Sequence, residues 1–282
     1  MKPAPFDYVR ADSPEEAAAE LSRHGEDARI LAGGQSLIAM LSMRLAQPQV
    51  LIDISRIAVA EPVRIQDGAL IVEAPATQSQ LMRLPDLATA VPLLAMALPY
   101  VGHFQTRNKG TVCGSIAHAD PSSELPLCLA VLDGHVQLTR YQARGNFGGR
   151  AVAGSQFFTG LLETDRSATE MITHVRFPIA KADDGYAFHE MAIRHGDFAI
   201  VAVAVKATAT SIRIGIGGAA DKPHVRDWPT LDGSALDDAL NALAWELEFQ
   251  EDQHASARYR RHLVRTLGRR TVLEALETRG HV

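Results

Sequence analysis

Two short stretches concentrate the residue types that bind phosphate. Ala32-Gly33-Gly34-Gln35-Ser36 hands an apolar run, Ala28 to Ala32, over to a helical pattern through two glycines. Free amides at such a junction, backed by the positive end of a helix, suit a phosphate or pyrophosphate, and glycine lets the ligand approach the backbone closely. Gln35 and Ser36 add side-chain donors. The second stretch runs Gly110-Thr111-Val112-Cys113-Gly114-Ser115-Ile116-Ala117-His118-Ala119-Asp120-Pro121, with Glu124 just beyond it. Hydroxyls, small residues and two carboxylates lie together, so one end suits phosphate and the other ribose hydroxyls or a base. Each stretch also has a plainer reading. The first is then a turn that needs glycine for its dihedrals, the second a surface loop capped by Asp120 and Ser122 at the next helix.

Other familiar signals fail. Gly215-Ile216-Gly217-Gly218-Ala219-Ala220 fits the dinucleotide fingerprint, but Asp221-Lys222-Pro223 stops the helix that would hold the pyrophosphate. There is no Gly-Lys-Ser/Thr phosphate loop, no helical pair of histidines for zinc and no Gly-x-Ser-x-Gly elbow. Hydrolase and kinase readings therefore lack support. Arg258, Arg260, Arg261, Arg265, Arg269 and Arg270 are basic, yet Tyr259, Leu263, Val264, Leu267 and Leu273 mark a buried face of the same helix. Glu246, Glu248, Glu251 and Asp252 offset that charge, which reads as a solvated face or a docking surface.

Lys plus Arg number 28 against 33 Asp plus Glu, a net charge of −5, which argues against a chain devoted to nucleic acid. Cys113 and Cys128 are too few for an iron–sulfur cluster or an all-cysteine zinc site, and their use fits reducing conditions. Met1 to Arg10 lacks the apolar core of a signal peptide, and Phe198 to Val205 falls far short of the roughly 20 residues that span a bilayer. The expectation is a soluble, cytoplasmic chain with neither nucleic acid nor membrane insertion.

The elements that position these stretches follow from patterning. Ser13-Pro14-Glu15-Glu16 starts a helix that ends near Gly25, and Ala28–Ala32, a glycine turn and the helical spacing of Leu37, Ile38, Met40, Leu41 and Leu45 read strand, turn, helix. Strands follow at 50–54, 63–65 and 69–74, the last two joined by the hairpin signal Gln66-Asp67-Gly68. From 78 to 100, Pro85, Pro92 and Pro99 break a helical pattern into short pieces. Residues 102–121 read as a long polar loop, and such loops inside compact domains tend to be functional. A helix at 122–132 and strands near 136–139 and 171–177 complete this half. After a polar boundary at 178–185, strands at 188–193, 200–210 and 211–216 precede helices at 237–248 and 255–277, an α+β order.

Taken together, the two phosphate-type stretches resemble those of the FAD-binding medium subunits of the molybdenum hydroxylases, the xanthine dehydrogenase and carbon monoxide dehydrogenase flavoprotein family. The resemblance spans nearly the whole chain. It runs from Pro5-Phe6-Asp7-Tyr8 and the Ser-Pro-Glu-Glu-Ala helix start through Ala32–Leu37, Val50–Ile54, Gly102-His103, Gln105 and Arg107-Asn108 to Gly110-Thr111. It continues in Gly114-Ser115, Ala117–Pro121 and Glu124-Leu125-Pro126, then Arg194–Ala199, Gly217-Gly218-Ala219, Tyr259-Arg260-Arg261 and Arg269-Arg270.

The resemblance implies an α+β fold: a two-subdomain FAD-binding domain of the vanillyl-alcohol-oxidase/PCMH type over 1–177, with subdomains of about 1–55 and 56–177. A small C-terminal domain over 178–282 would hold a three-stranded antiparallel sheet and helices. By position, Leu31, Ala32, Gly33, Gly34, Gln35, Ser36 and Leu37, with Thr111, Gly114 and Ser115, would hold the FAD pyrophosphate. His118 and Asp120 would lie along the same loop, Glu124 near the adenosine half and Ile172 by the adenine end. The implied role is electron transfer. Molybdopterin sits on a large partner and [2Fe-2S] clusters on a small one, in a dimer of heterotrimers; FAD here passes electrons to an external acceptor, and no residue acts as acid or base on the substrate.

Two positions depart from the family pattern. Cys113 replaces the first glycine of a pair, where a positive φ would strain it. His189 stands where some relatives carry a lysine near the flavin, and no role is assigned to it. The alternatives are a stand-alone flavin oxidoreductase, which would need its own substrate base, and a flavin-free scaffold, which only Cys113 favours.

Overall fold

The computed structural model describes residues 2–143, 145–249 and 251–280. The first 53 residues build a small parallel sheet. Its strands are β1 (Asp7–Arg10), β2 (Ala28–Leu31) and β3 (Val50–Asp53), with helices α1 (Pro14–His24) and α2 (Leu37–Ser42) between them. Every residue of β3 is buried because it is the central strand, flanked by β1 and β2. α1 starts where the sequence says it must: Ser13 Oγ accepts from the Glu16 amide at 3.1 Å and Pro14 fills the first turn. Gly25, at φ +55°, ends it. α2 stops at Ser42, short of the stretch to Leu45 that its periodicity implied, because Arg44 turns the chain at φ +59°.

The next segment folds around a five-stranded antiparallel sheet. In chain order come β4 (Val63–Gln66), β5 (Ala69–Glu73), α3 (Gln78–Met82), α4 (Leu87–Ala90), α5 (Pro92–Ala97), α6 (Phe104–Lys109), α7 (Val112–His118) and α8 (Glu124–Val131). Then come β6 (His135–Ala143), β7 (Asn146–Ala153), α9 (Gly154–Phe157), β8 (Phe158–Gly160), β9 (Glu163–Thr164) and β10 (Met171–Pro178). The sheet order is β4-β5-β10-β6-β7, with β8 and β9 pairing separately. Asp67 and Gly68 both hold positive φ, 50° and 69°, which the two-residue turn between β4 and β5 requires. The polar stretch 102–121 is not one long loop. It contains α6 and α7, too short and too rich in small residues to show an apolar period.

The last segment is an antiparallel sheet with helices on one face: β11 (Gly185–Met191), β12 (Val201–Ala207), β13 (Ser211–Gly217), β14 (His224–Pro229), α10 (Gly233–Glu246) and α11 (Ala257–Glu277). The sheet has four strands in the order β11-β12-β13-β14, one more than the three expected. β14 escaped the sequence because His-Val-Arg-Asp-Trp-Pro follows Pro223, ends in Pro229 and lies at the sheet edge with no fully buried residue, so burial imposes no alternation on it.

α8 is the keystone of the packing. All eight of its residues are buried, sandwiched between helices α5, α7 and α9 and the C-terminal sheet. Gly215 makes this possible, since a Cβ there would come within 2.3 Å of Val131 Cγ2 and 2.8 Å of Leu127 Cδ1. Gly217 likewise faces Leu127 Cδ2 at 3.2 Å. The glycines at 215 and 217 thus admit a helix against a strand. The opposite face of the sheet packs on α10 and α11 through Val203, Val205, Ile212, Ile214, Leu240 and Val264. Among the described residues no helix is long and apolar enough to cross a membrane.

Candidate functional site

β2 delivers the chain to Ala32, and Gly33-Gly34-Gln35-Ser36 turns it into α2. Gly34 holds φ +70°, a conformation L side chains rarely adopt. Gly33 is constrained differently: a Cβ there would lie 2.1 Å from Lys109 O and 2.8 Å from Gly110 Cα. The first turn therefore sits directly on the second. Gln35 Nε2 donates back to Gly33 O at 3.0 Å, closing the turn on itself.

The second turn is anchored from behind. Gln78 N donates to Gly110 O at 2.9 Å and Val112 N to Ala76 O at 3.1 Å. Thr111 caps α7, its Oγ1 accepting from the Gly114 amide at 2.9 Å, so that oxygen serves the helix and leaves the hydroxyl proton for a ligand. α7 ends at Ala119 in the left-handed conformation, φ +53°, and Asp120 Oδ1 then accepts from Ser122 N at 2.8 Å to shape the turn into α8.

Between these turns lies a cleft of about 1460 Å³. Drug-sized ligands fill about 300–1,000 Å³, so this one suits a longer molecule. Of the expected site residues, Ala32, Gly33, Gly34, Gln35, Ser36, Leu37, Thr111, Gly114, Ser115, His118, Glu124 and Ile172 line it. Leu31 and Asp120 do not. Leu31 belongs to the sheet, its carbonyl accepting from Ile54 N at 2.9 Å, and Asp120 is engaged in its own turn.

Sequence reasoning gave no role to several residues that complete the cleft. Gln78, buried beside Gly110, lines it with an Oε1 that has no hydrogen-bond partner among the described residues. The far wall comes from the C-terminal domain: Ile193, Phe198, Gly218, Asp252 and Arg260. Arg260, buried on α11, donates to Ile200 O at 2.6 Å, Gly218 O at 2.8 Å and Asp252 Oδ2 at 2.5 Å. Gly218 N donates in turn to Pro121 O at 2.8 Å, tying that wall to the loop after α7. The Tyr259-Arg260-Arg261 run was a signal for this, hidden among six arginines of one helix.

Burial raises two acids here, Glu124, which lines the cleft, and Glu190, half-buried on β11 outside the lining. Burial pushes Glu124 up to about 7, with Asp120 adding to the rise and Arg107 opposing it. Burial, then the Glu124 charge, pushes Glu190 up to about 8, and its Oε2 has no partner among the described residues.

The family described as the FAD binding domain in molybdopterin dehydrogenase matches residues 4–180, and the CO dehydrogenase flavoprotein C-terminal domain matches 186–275. The chain belongs to the FAD-binding medium subunits of the molybdenum hydroxylases. This medium subunit is 37% identical over 285 residues to the nicotine 6-hydroxylase medium subunit of Paenarthrobacter nicotinovorans, covering 95% of this chain and 97% of that one. It is 32% identical to the carbon monoxide dehydrogenase medium chain of Afipia carboxidovorans over 98% of each. Among solved structures, the carbon monoxide dehydrogenase of Hydrogenophaga pseudoflava that lacks the Mo-pyranopterin moiety of the molybdenum cofactor superposes with a TM-score of 0.91. That match has 28% identity and covers 99% of this chain and 100% of the other.

FAD is the cofactor of this oxidoreductase component, and the cleft fits it. Two glycine turns without Cβ atoms meet at one wall, and an unpartnered buried amide oxygen, Gln78 Oε1, lies beside them. The strain expected at Cys113 is absent: Cys113 lies inside α7 with φ outside the positive region, and its thiol donates to Val72 O at 3.4 Å. Burial pushes that thiol upward, away from reactivity. His189 of the medium subunit faces α11, with Nδ1 3.2 Å from Thr271 Oγ1 and Nε2 3.3 Å from Glu274, and does not line the cleft.

Proposed function

We propose that this chain is the electron-transfer flavoprotein of a heteromeric molybdenum hydroxylase. It takes electrons from [2Fe-2S] clusters on a small partner subunit and passes them to an external acceptor. A large molybdopterin-binding subunit oxidises the substrate, and the complex is a dimer of heterotrimers in the cytoplasm. The observation that carries this reading is the meeting of two glycine turns, distant in sequence, at one wall of a cleft whose far wall is the C-terminal domain.

Bound FAD supplies a redox centre able to trade electrons singly with a cluster and in pairs with an acceptor. Residues 1–177 serve as the flavin domain, in subdomains of about 1–55 and 56–177, and 178–282 as the domain that closes over it. The amides of 32–37 and those of Thr111 and Cys113, with the hydroxyls of Ser36, Thr111 and Ser115, hold the pyrophosphate; the Val112, Gly114 and Ser115 amides are spent shaping the second turn. His118 and Glu124 bind toward the adenosine half, and Ile172 packs by the adenine. Leu31 and Asp120 act from behind, fixing the two turns. Burial keeps Glu124 protonated to near neutral pH, so it can donate a hydrogen bond as well as accept one.

The ordinary helical backbone at Cys113 removes the only argument for a flavin-free scaffold. The test is an absorbance spectrum of the complex purified through this chain, followed by acid release of the chromophore and native mass spectrometry. One FAD per chain and a mass of two copies of each of three subunits are expected. Absence of flavin in the complex, together with failure to bind added FAD, would sink the reading.

A further inference from the structure

The hairpin of β8 and β9 carries a residue that is wrong for its own stability. Its two pairs, Phe158 with Thr164 and Gly160 with Glu163, are out of register, the mark of a bulge, and Leu162 turns the chain at φ +56°. That left-handed position in a bulged hairpin turn is normally glycine or asparagine, because a leucine Cβ crowds the backbone there. Burial does not explain the leucine. Leu162 is 45% exposed and its neighbour Leu161 58%. Both line the cleft, as do Arg166 and Ile172 farther along the same segment. Strain held at an exposed apolar position that faces a ligand cleft is the pattern of a binding residue kept in place by its ligand.

We propose that the Leu161–Leu162 turn is an apolar clip that closes on the adenine end of FAD. The inference rests on the assignment of this cleft to FAD with Ile172 on the adenine side. The flat base presents an apolar face to which two leucine side chains add contact without a hydrogen bond. The left-handed turn presents both side chains at the end of a two-residue loop, where a glycine at 162 would leave only Leu161.

The test titrates the FAD-free full-length chain with FAD and compares wild type with Leu162→Gly, Leu162→Asn and Leu161→Ala. Both Leu162 variants are expected to raise the FAD Kd at least ten-fold while the melting temperature of the FAD-free chain stays level or rises, since strain is relieved. Leu161→Ala is expected to raise Kd several-fold. At saturating FAD, the flavin spectrum and midpoint potential should match wild type, because the isoalloxazine lies at the other end. An unchanged Kd overturns the proposal, as does a fall in melting temperature that accounts for the weaker binding. A shifted flavin spectrum overturns the adenine-end placement. Wild-type protein that binds no FAD defeats the cleft assignment beneath it, a result distinct from all of these.

Discussion

Gly33 is the residue at which the two halves of the pyrophosphate site touch, and it tolerates the least change. Gly33→Ala drives a methyl to 2.1 Å from the Lys109 carbonyl, so the turns must separate. Overpacking of this kind costs about 1–3 kcal/mol. The expected outcome is a lower melting temperature with flavin content down at least ten-fold, read by denaturation and acid release. Glu124 gives a pH signature. Its carboxyl is held near 7 in the folded chain by burial, against about 4.3 unfolded. Stability from this group is full below about pH 4.3 and declines as the pH climbs toward 7, a loss of about 4 kcal/mol. Urea unfolding of the FAD-free chain from pH 4.5 to 8 should show that decline, and Glu124→Gln should flatten it. Parallel profiles for the two proteins would refute the assignment. At this scale the sequence was informative about glycines and hydroxyls, because few residue types can make such turns. It misled at Cys113, where a family position named by glycine turned out to be plain helix.

α11 reaches the cleft through one side chain. Arg260→Gln leaves the Ile200 and Gly218 carbonyls without their charged donor, and hydrogen bonds of that kind contribute about 1.5–3 kcal/mol each. A drop of about 3 kcal/mol in unfolding free energy is expected in guanidinium titrations, with Arg260→Lys recovering part of it. Hydrogen exchange should also quicken in the 117–123 peptide, because Gly218 N bonds Pro121 O. Unaltered exchange there would show that the clamp stops at its own domain. Long elements with clear caps or period, such as α1, β5 and α11, were legible in the sequence. α6, α7 and β14 were not: six or seven residues with glycine and threonine at their ends carry no apolar stripe, and an edge strand with no fully buried residue needs none. β7, with Phe-Gly-Gly-Arg at its centre, was lost for the same reason.

The whole molecule depends on contacts that no local pattern announces. α8 has no solvent-facing side, one flank packing on β12 and β13 of the C-terminal sheet and the other on α5, α7 and α9. A chain ended at residue 180 bares the side that β12 and β13 cover, including Leu127 and Val131. Such a fragment is expected to keep helical far-ultraviolet dichroism, lose near-ultraviolet signal and bind ANS. A fragment that unfolds cooperatively and binds no dye would show that the flavin domain stands alone. The order of synthesis gives the same helix another significance. β12 leaves the ribosome roughly 70 residues after Val131, so at about 5–20 residues per second the nascent helix waits several seconds with an apolar flank uncovered. That interval is an opening for a chaperone, and a cell poor in chaperones should yield this subunit as inclusion bodies even though the finished chain hides α8 completely.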